Sequence, residues 1–301
     1  MAGFTLGALL FLAMTTASAD DSGPEPRIAH RVEPVGEARV DWTALSLSVV
    51  GTGEGSGRAT IAKARLQASH AARADAETRL LTSLGSLRLG RADGGASRLT
   101  DDAVRTRLKG LFPLCHTDRE RFLADGAVRL TLTCPLGRGF SYALRHRTSR
   151  DAPDTPSSAF GSEVQTMGAN HSSEEPPASS LILVVDEAVV PSLFPEVWTT
   201  SGGVVVDGRL AGPEASFQRG FVSFVSTEAQ ARSRPRAGPH PKVLKASGVD
   251  AAEPTRIIVE DTVAEAFRTY VHLLAQGRFI IASPRSSGEL GGSEGSIEEG
   301  S

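Results

Sequence analysis

Two cysteines, seven histidines and one glycine-rich run are the residues of this 301-residue chain whose types could do chemistry. Cys115 and Cys134 read as a disulfide, because an even cysteine count suits an oxidising compartment. Closing a loop of about 20 residues would stabilise the fold by roughly 3 kcal/mol in the chain-entropy model. Two separate buried thiols are the alternative. His30, His70, His116, His146, His171, His240 and His272 are scattered, and none forms H-E-x-x-H or another ligand pair at helical spacing. No metal site is therefore expected. Gly51-Thr52-Gly53-Glu54-Gly55-Ser56-Gly57 lies between a strand and a helix, the context a dinucleotide site needs. Its spacing fails, since the third glycine would fall at Ser56 or at Arg58, and no Gly-Lys-Ser/Thr follows. Ser56 also sits one position off a G-x-S-x-G elbow. The run reads as a tight turn, with no cofactor.

Asp186-Glu187 at a strand end could act as acid and base, although such a pair reads first as a solvated strand terminus. Arg232, Arg234, Arg236, Lys242 and Lys245 lie among prolines without interleaved aromatics. They read as a solvated loop, with contact to an anionic envelope surface as the sharper alternative. Net charge is −3, too small to imply nucleic-acid binding. No catalytic, cofactor or metal residue is assigned.

The elements that would position these residues divide the chain. Residues 1–19 read as a signal peptide: an apolar run from Phe4 to Met14, then Ala17-Ser18-Ala19, with cleavage after Ala19. The segment carries no Lys or Arg before its apolar run. Beyond it no run is long enough to span a membrane, so the expectation is a periplasmic or secreted protein with protein partners in the cell envelope. Residues 20–38, with three prolines, read as a disordered leader. A first domain over 39–147 opens with a strand from Val40 to Val50. A helix from Arg58 to about Leu84 follows, its face Ile61, Ala64, Ala68, Ala72, Ala76, Leu80 and Leu84 at three- and four-residue steps. Asp75 and Arg79 can pair one turn apart. A short strand is expected at Leu87-Arg88-Leu89, and Thr100-Asp101-Asp102 opens a second helix ending at Gly110. Strands are expected from Phe112 to Thr117 and from Ala127 to Cys134, turning at Ala124-Asp125-Gly126.

Residues 148–179 read as a Pro/Ser-rich linker. The second domain, 180–283, starts with the continuous apolar run Leu181–Val185, which suits a strand buried on both faces. A hairpin at Ser201-Gly202-Gly203 follows, then strands over Phe217–Val225, Lys242–Ser247 and Arg256–Val259. A helix from Asp261 to Ala275 turns Val263, Phe267, Val271 and Leu274 inward, and a last strand covers 278–281. The tail, 284–301, is Gly, Ser and Glu and reads as disordered. The fold class is α+β: two small α/β domains, each a mixed or antiparallel sheet packed on helices.

The stretch Trp42–Leu89 resembles the LPP20-like exported lipoproteins and the N-terminal region of the flagellar-assembly protein FlgT. A Trp-led strand and a Gly-rich turn precede a helix carrying Ala64, Arg65, Ala68, Ala71, Ala72, Arg73, Asp75 and Ala76. Leu183-Val184-Val185-Asp186, then Pro191–Val197 and Gly203-Val204-Val205, look like a second segment of such proteins. Glu187-Ala188-Val189 stands where Ala-Arg-Gly is common there, and the family's lipobox cysteine is missing. The resemblance implies a periplasmic or outer-envelope protein, non-enzymatic, working in assemblies such as a flagellar basal ring. The loop Pro191–Pro195 and sheet edges would then be its contact surfaces. A periplasmic hydrolase or ligand-binding protein with an interdomain cleft is the alternative.

Overall fold

A computed structural model describes residues 30–57, 60–90, 100–145, 177–213 and 215–285. The signal segment with its cleavage position Ala19, the leader before 30, the linker over 148–176 and the tail beyond 285 lie outside the described residues. The chain is α+β.

The first half begins with β1 (Val32–Val35) and β2 (Ala38–Asp41), an antiparallel hairpin turned at Gly36, φ +60°. The leader expected through residue 38 is therefore structured from Val32 onward. Val35, Ala38 and Val40 bury alternately, and Pro34 is tolerated because β1 is an edge strand. With β3 (Ser46–Gly53), β4 (His116–Phe122) and β5 (Val128–Pro135), the hairpin forms an antiparallel sheet in the order β1-β2-β3-β5-β4. The single strand expected over Val40–Val50 is split: Trp42–Leu45 form a turn, with Leu45 in the left-handed region at φ +53°. The glycine run starts inside β3, not after it. α1 (Ile61–Leu84) lies across this sheet on Ala68, Ala72, Ala76, Leu80 and Leu84. A Cβ on Gly51 would stand 2.1 Å from the Ala72 carbonyl oxygen, and one on Gly53 2.2 Å from the Ala72 nitrogen. The glycines and the alanine stripe together let helix and strand backbones touch. The stripe begins later than its spacing suggests, since Ile61 is 76% exposed.

Asp101 caps α2 (Asp102–Gly110), accepting from the Ala103 N–H at 2.8 Å. Phe112–Leu114 form a helical turn around Pro113, so β4 begins at His116 and not at Phe112. The β4–β5 connection turns at Gly126, φ +84°. A wide turn over Leu136–Phe140 leads into α3 (Ser141–Arg145).

The second half contains β6 (Ser180–Val184), β7 (Glu196–Thr199), β8 (Val204–Val206), β9 (Val222–Val225), α4 (Glu228–Arg232) and β10 (Pro241–Lys245). It continues with β11 (Gly248–Val249), β12 (Arg256–Val259), α5 (Asp261–Thr269), α6 (Val271–Ala275) and β13 (Phe279–Ala282). Its strands divide between two sheets. One, β10-β6-β13-β9, is parallel throughout; the other, β11-β12-β7-β8, is mixed. β6 lies inside the parallel sheet, which explains its unbroken apolar run. The strand expected from Phe217 is reduced to Val222–Val225, because Ala215–Arg219 coil helically and Gly220 turns at φ +75°. The helix expected over Asp261–Ala275 breaks at Tyr270, and Leu273 is buried where Val271 was expected. Residues 177–179 belong to this half: the Ser179 hydroxyl donates to the Ala237 carbonyl at 2.6 Å. One continuous apolar core runs through both halves.

Candidate functional site

The sulfurs of Cys115 and Cys134 stand 1.96 Å apart, at bonding distance. Cys134 is on β5, and Cys115 immediately precedes β4, so the bridge ties one end of this strand pair. His116 next to it faces Asp118 at 2.8 Å. His30 bonds Asp41 at 2.5 Å, while His70, His240 and His272 are exposed. Among the described residues no group of three metal-ligating side chains converges; His146 and His171 lie outside them.

Asp186 pairs with the Lys245 ammonium at 2.9 Å, and Glu187 accepts from the Val249 N–H at 3.3 Å. Both are spent on local contacts at the end of β6. The basic cluster is divided among tasks. Arg232 pairs with Glu228 at 2.8 Å. Arg234 donates to the Thr43 carbonyl at 2.8 Å, across the two halves. Arg236 reaches the carbonyls of Arg219, Gly220 and Phe279. Burial, with Arg219 and Arg234 nearby, pulls its pKa down to about 10. Arg234 and Arg236 thus leave the solvated loop that sequence suggested and become internal struts.

The loop Pro191–Pro195 is likewise internal. All five residues are buried, and the Leu193 and Phe194 N–H groups each donate at 2.9 Å, to the carbonyls of Arg88 and Leu89. The expected strand at Leu87–Leu89 is this bridge to the second half. Hydrophobic residues in a proline-bounded loop bury wherever a partner surface exists, and here the first half supplies it.

These contacts form a junction that sequence reasoning missed. Trp42 is fully buried, its ring 6.0 Å edge-on from Phe224, with the Arg88 guanidinium 5.9 Å above it. Its Nε1 donates to Glu33 at 2.6 Å, and Arg88 bonds the same carboxylate. The Thr43 hydroxyl accepts from the Arg31 N–H at 2.9 Å and donates to the Phe224 carbonyl at 2.8 Å. The buried Arg31 guanidinium donates to Ser283 Oγ at 2.9 Å and to the Val189 carbonyl at 2.6 Å. Trp42 opening a short apolar run was the sole signal; nothing marked a leader arginine as buried.

An open groove of about 720 Å³ lies between α1 and α2, lined by Arg73, Glu77, Leu81, Arg105, Lys109 and Phe112 among others. Arg73 pairs with Glu77 at 3.0 Å, and the Thr78 hydroxyl is spent on the Ala74 carbonyl at 2.9 Å.

No curated protein matches the chain. Residues 178–284, the second half as the structure bounds it, are similar to the second domain of Treponema pallidum Tp0624, whose family model they match.

Proposed function

We propose that this is an exported cell-envelope protein with a structural or interaction role, non-catalytic and LPP20-like or FlgT-like in plan. The filled junction is the observation that carries the reading. Arg31, Trp42, Thr43 and Phe224 are each at most 1% exposed where the halves meet, so the two halves share a buried junction and present their surfaces together. A hydrolase or binding protein of the alternative kind needs an open cleft at that place. The cysteine pair at bonding distance supports an oxidising compartment.

The test is fractionation of cells producing the full chain, with thiols trapped before lysis and cross-linking in situ. The expected product lacks residues 1–19, keeps Cys115 and Cys134 oxidised, and cross-links to an envelope component. A full-length cytosolic chain with both thiols reduced, or an envelope chain that stays monomeric without partners, would overturn the proposal.

A further inference from the structure

The end of the first half farthest along β3 and β5 from the junction carries two features that the fold does not use. The first is apolar. Ile61 and Leu66 near the start of α1, and Phe122 and Leu123 at the tip of the β4–β5 hairpin, are 76%, 60%, 51% and 37% exposed. The Arg65 guanidinium lies 5.4 Å over the Phe122 ring, which joins helix start and hairpin tip into one surface.

The second is charge. The face of the sheet opposite α1 is open, and Arg119, Arg121 and Arg129 stand exposed on it. Register places Arg121 directly across from Arg129, and Arg119 across from Thr131. Like charges in direct opposition destabilise a strand pair. Among the described residues none of these three arginines has an ion pair or side-chain hydrogen bond. The acids nearby are mostly engaged: Glu120 by the Ser69 hydroxyl at 2.5 Å, Asp125 by the Ala127 N–H, and Asp118 by His116 and Thr133. Glu54 is exposed, against exposed Lys63 and Arg65 and the three arginines.

A second copy is a poor occupant. β4 is an edge strand, and antiparallel self-pairing brings residues of the same face together. In the register centred on Glu120, Arg119 would meet Arg121 and Glu120 would meet Glu120; centred on Arg119 or Arg121, that arginine would meet itself. The apolar groups also protrude from separate elements and do not line a groove, so they suit a soft surface better than a shaped protein partner.

The geometry points to a docking surface for an anionic phospholipid bilayer. Phe122 and Leu123 enter the headgroup layer end-on at the hairpin tip, with Ile61 and Leu66 at the helix start on the α1 side and the arginines on the opposite face of the sheet. Arg119, Arg121 and Arg129 meet the lipid phosphates, which relieve their mutual repulsion. The inference deepens the envelope proposal and rests on it for the choice of lipid.

The test is co-sedimentation of the purified full chain with vesicles of phosphatidylglycerol or of phosphatidylcholine. Binding is expected to the anionic vesicles, weakening in about 0.5 M salt as screening shortens. Arg119→Gln with Arg121→Gln should weaken it roughly fivefold per arginine. Phe122→Ser with Leu123→Ser should also weaken it, while Lys242→Gln on the second half should not. All these positions are exposed, so circular dichroism should stay unchanged. As a second readout, Phe122→Trp should add emission that shifts blue on anionic vesicles. Equal binding to both lipids, no binding, or binding indifferent to the tip and arginine changes would overturn the inference. So would capture of a soluble acidic protein by these arginines without lipid binding. Vesicle binding is read on purified protein wherever cells place it, so this inference and the envelope proposal fail separately.

Discussion

Gly51 and Gly53 show how much one missing Cβ decides. Their spacing, taken alone, resembles a loop or a weak nucleotide fingerprint. In the fold they are strand residues pressed against the backbone of α1. The alanine periodicity of that helix was legible because period and burial coincide, whereas the purpose of the glycines needed the facing element. Gly53→Ala is expected to cost about 1–3 kcal/mol or more, since backbone on both sides must move apart. Gly57→Ala, with nothing within 4 Å of its Cβ, should be near neutral. Urea denaturation of the two variants checks the contrast. Arg31 carries the opposite lesson: a cation in a polar, proline-containing stretch reads as solvated, yet it is 1% exposed. No local pattern distinguishes it, because its partners Val189 and Ser283 lie far along the chain.

At the scale of elements, the long helix, the capped second helix, the hairpin turn at Asp125-Gly126 and the central strand β6 were all readable. Each rests on interactions within a few residues or on a burial pattern imposed along one strand. Bounds failed where a distant surface intervened, as at Trp42–Leu45, where Phe224 packs against the turn. The Asp75–Arg79 pair on α1 was read correctly, at 2.8 Å, although the Thr52 N–H that also donates to Asp75 was not. Partial burial raises the Asp75 pKa, but the bonds from Thr52 and Arg79 outweigh it, and the net shift is downward from 3.8. A depressed folded value means stability present above pH 3.8 and lost as pH falls through the folded pKa. Asp75→Asn should therefore lower stability at neutral pH by up to about 1 kcal/mol. The difference from the parent should vanish in acid. Thermal midpoints measured against pH decide this, and a difference that persists in acid would assign the effect to packing.

As a whole molecule, the two halves are bound together at their junction. Trp42, Phe224 and the Pro191–Pro195 loop close a core that runs through both halves, so these should unfold in one transition seen alike by circular dichroism and tryptophan emission. Trp42→Ala should cost about 3–5 kcal/mol. Trp198 then reports on the second half alone, and because Arg31, Thr43 and the Pro191–Pro195 loop still join the halves, its curve should coincide with circular dichroism at the lowered midpoint; separated curves would show that Trp42 by itself couples the halves. The sequence by itself determined the α+β class, the helix that lies on the first sheet and the buried strand β6 inside the parallel sheet. These follow from composition and periodicity, which act locally. Only the tertiary structure decided that the halves are fused and that the proline loop with Arg31, Arg88 and Arg234 serves that fusion. It also decided that the unspent charge lies on the open face of β4 and β5. The fusion depends on surfaces that meet across more than a hundred residues, as Arg31 meets Val189 and Arg88 meets Pro191, and short-range pattern carries no record of that choice.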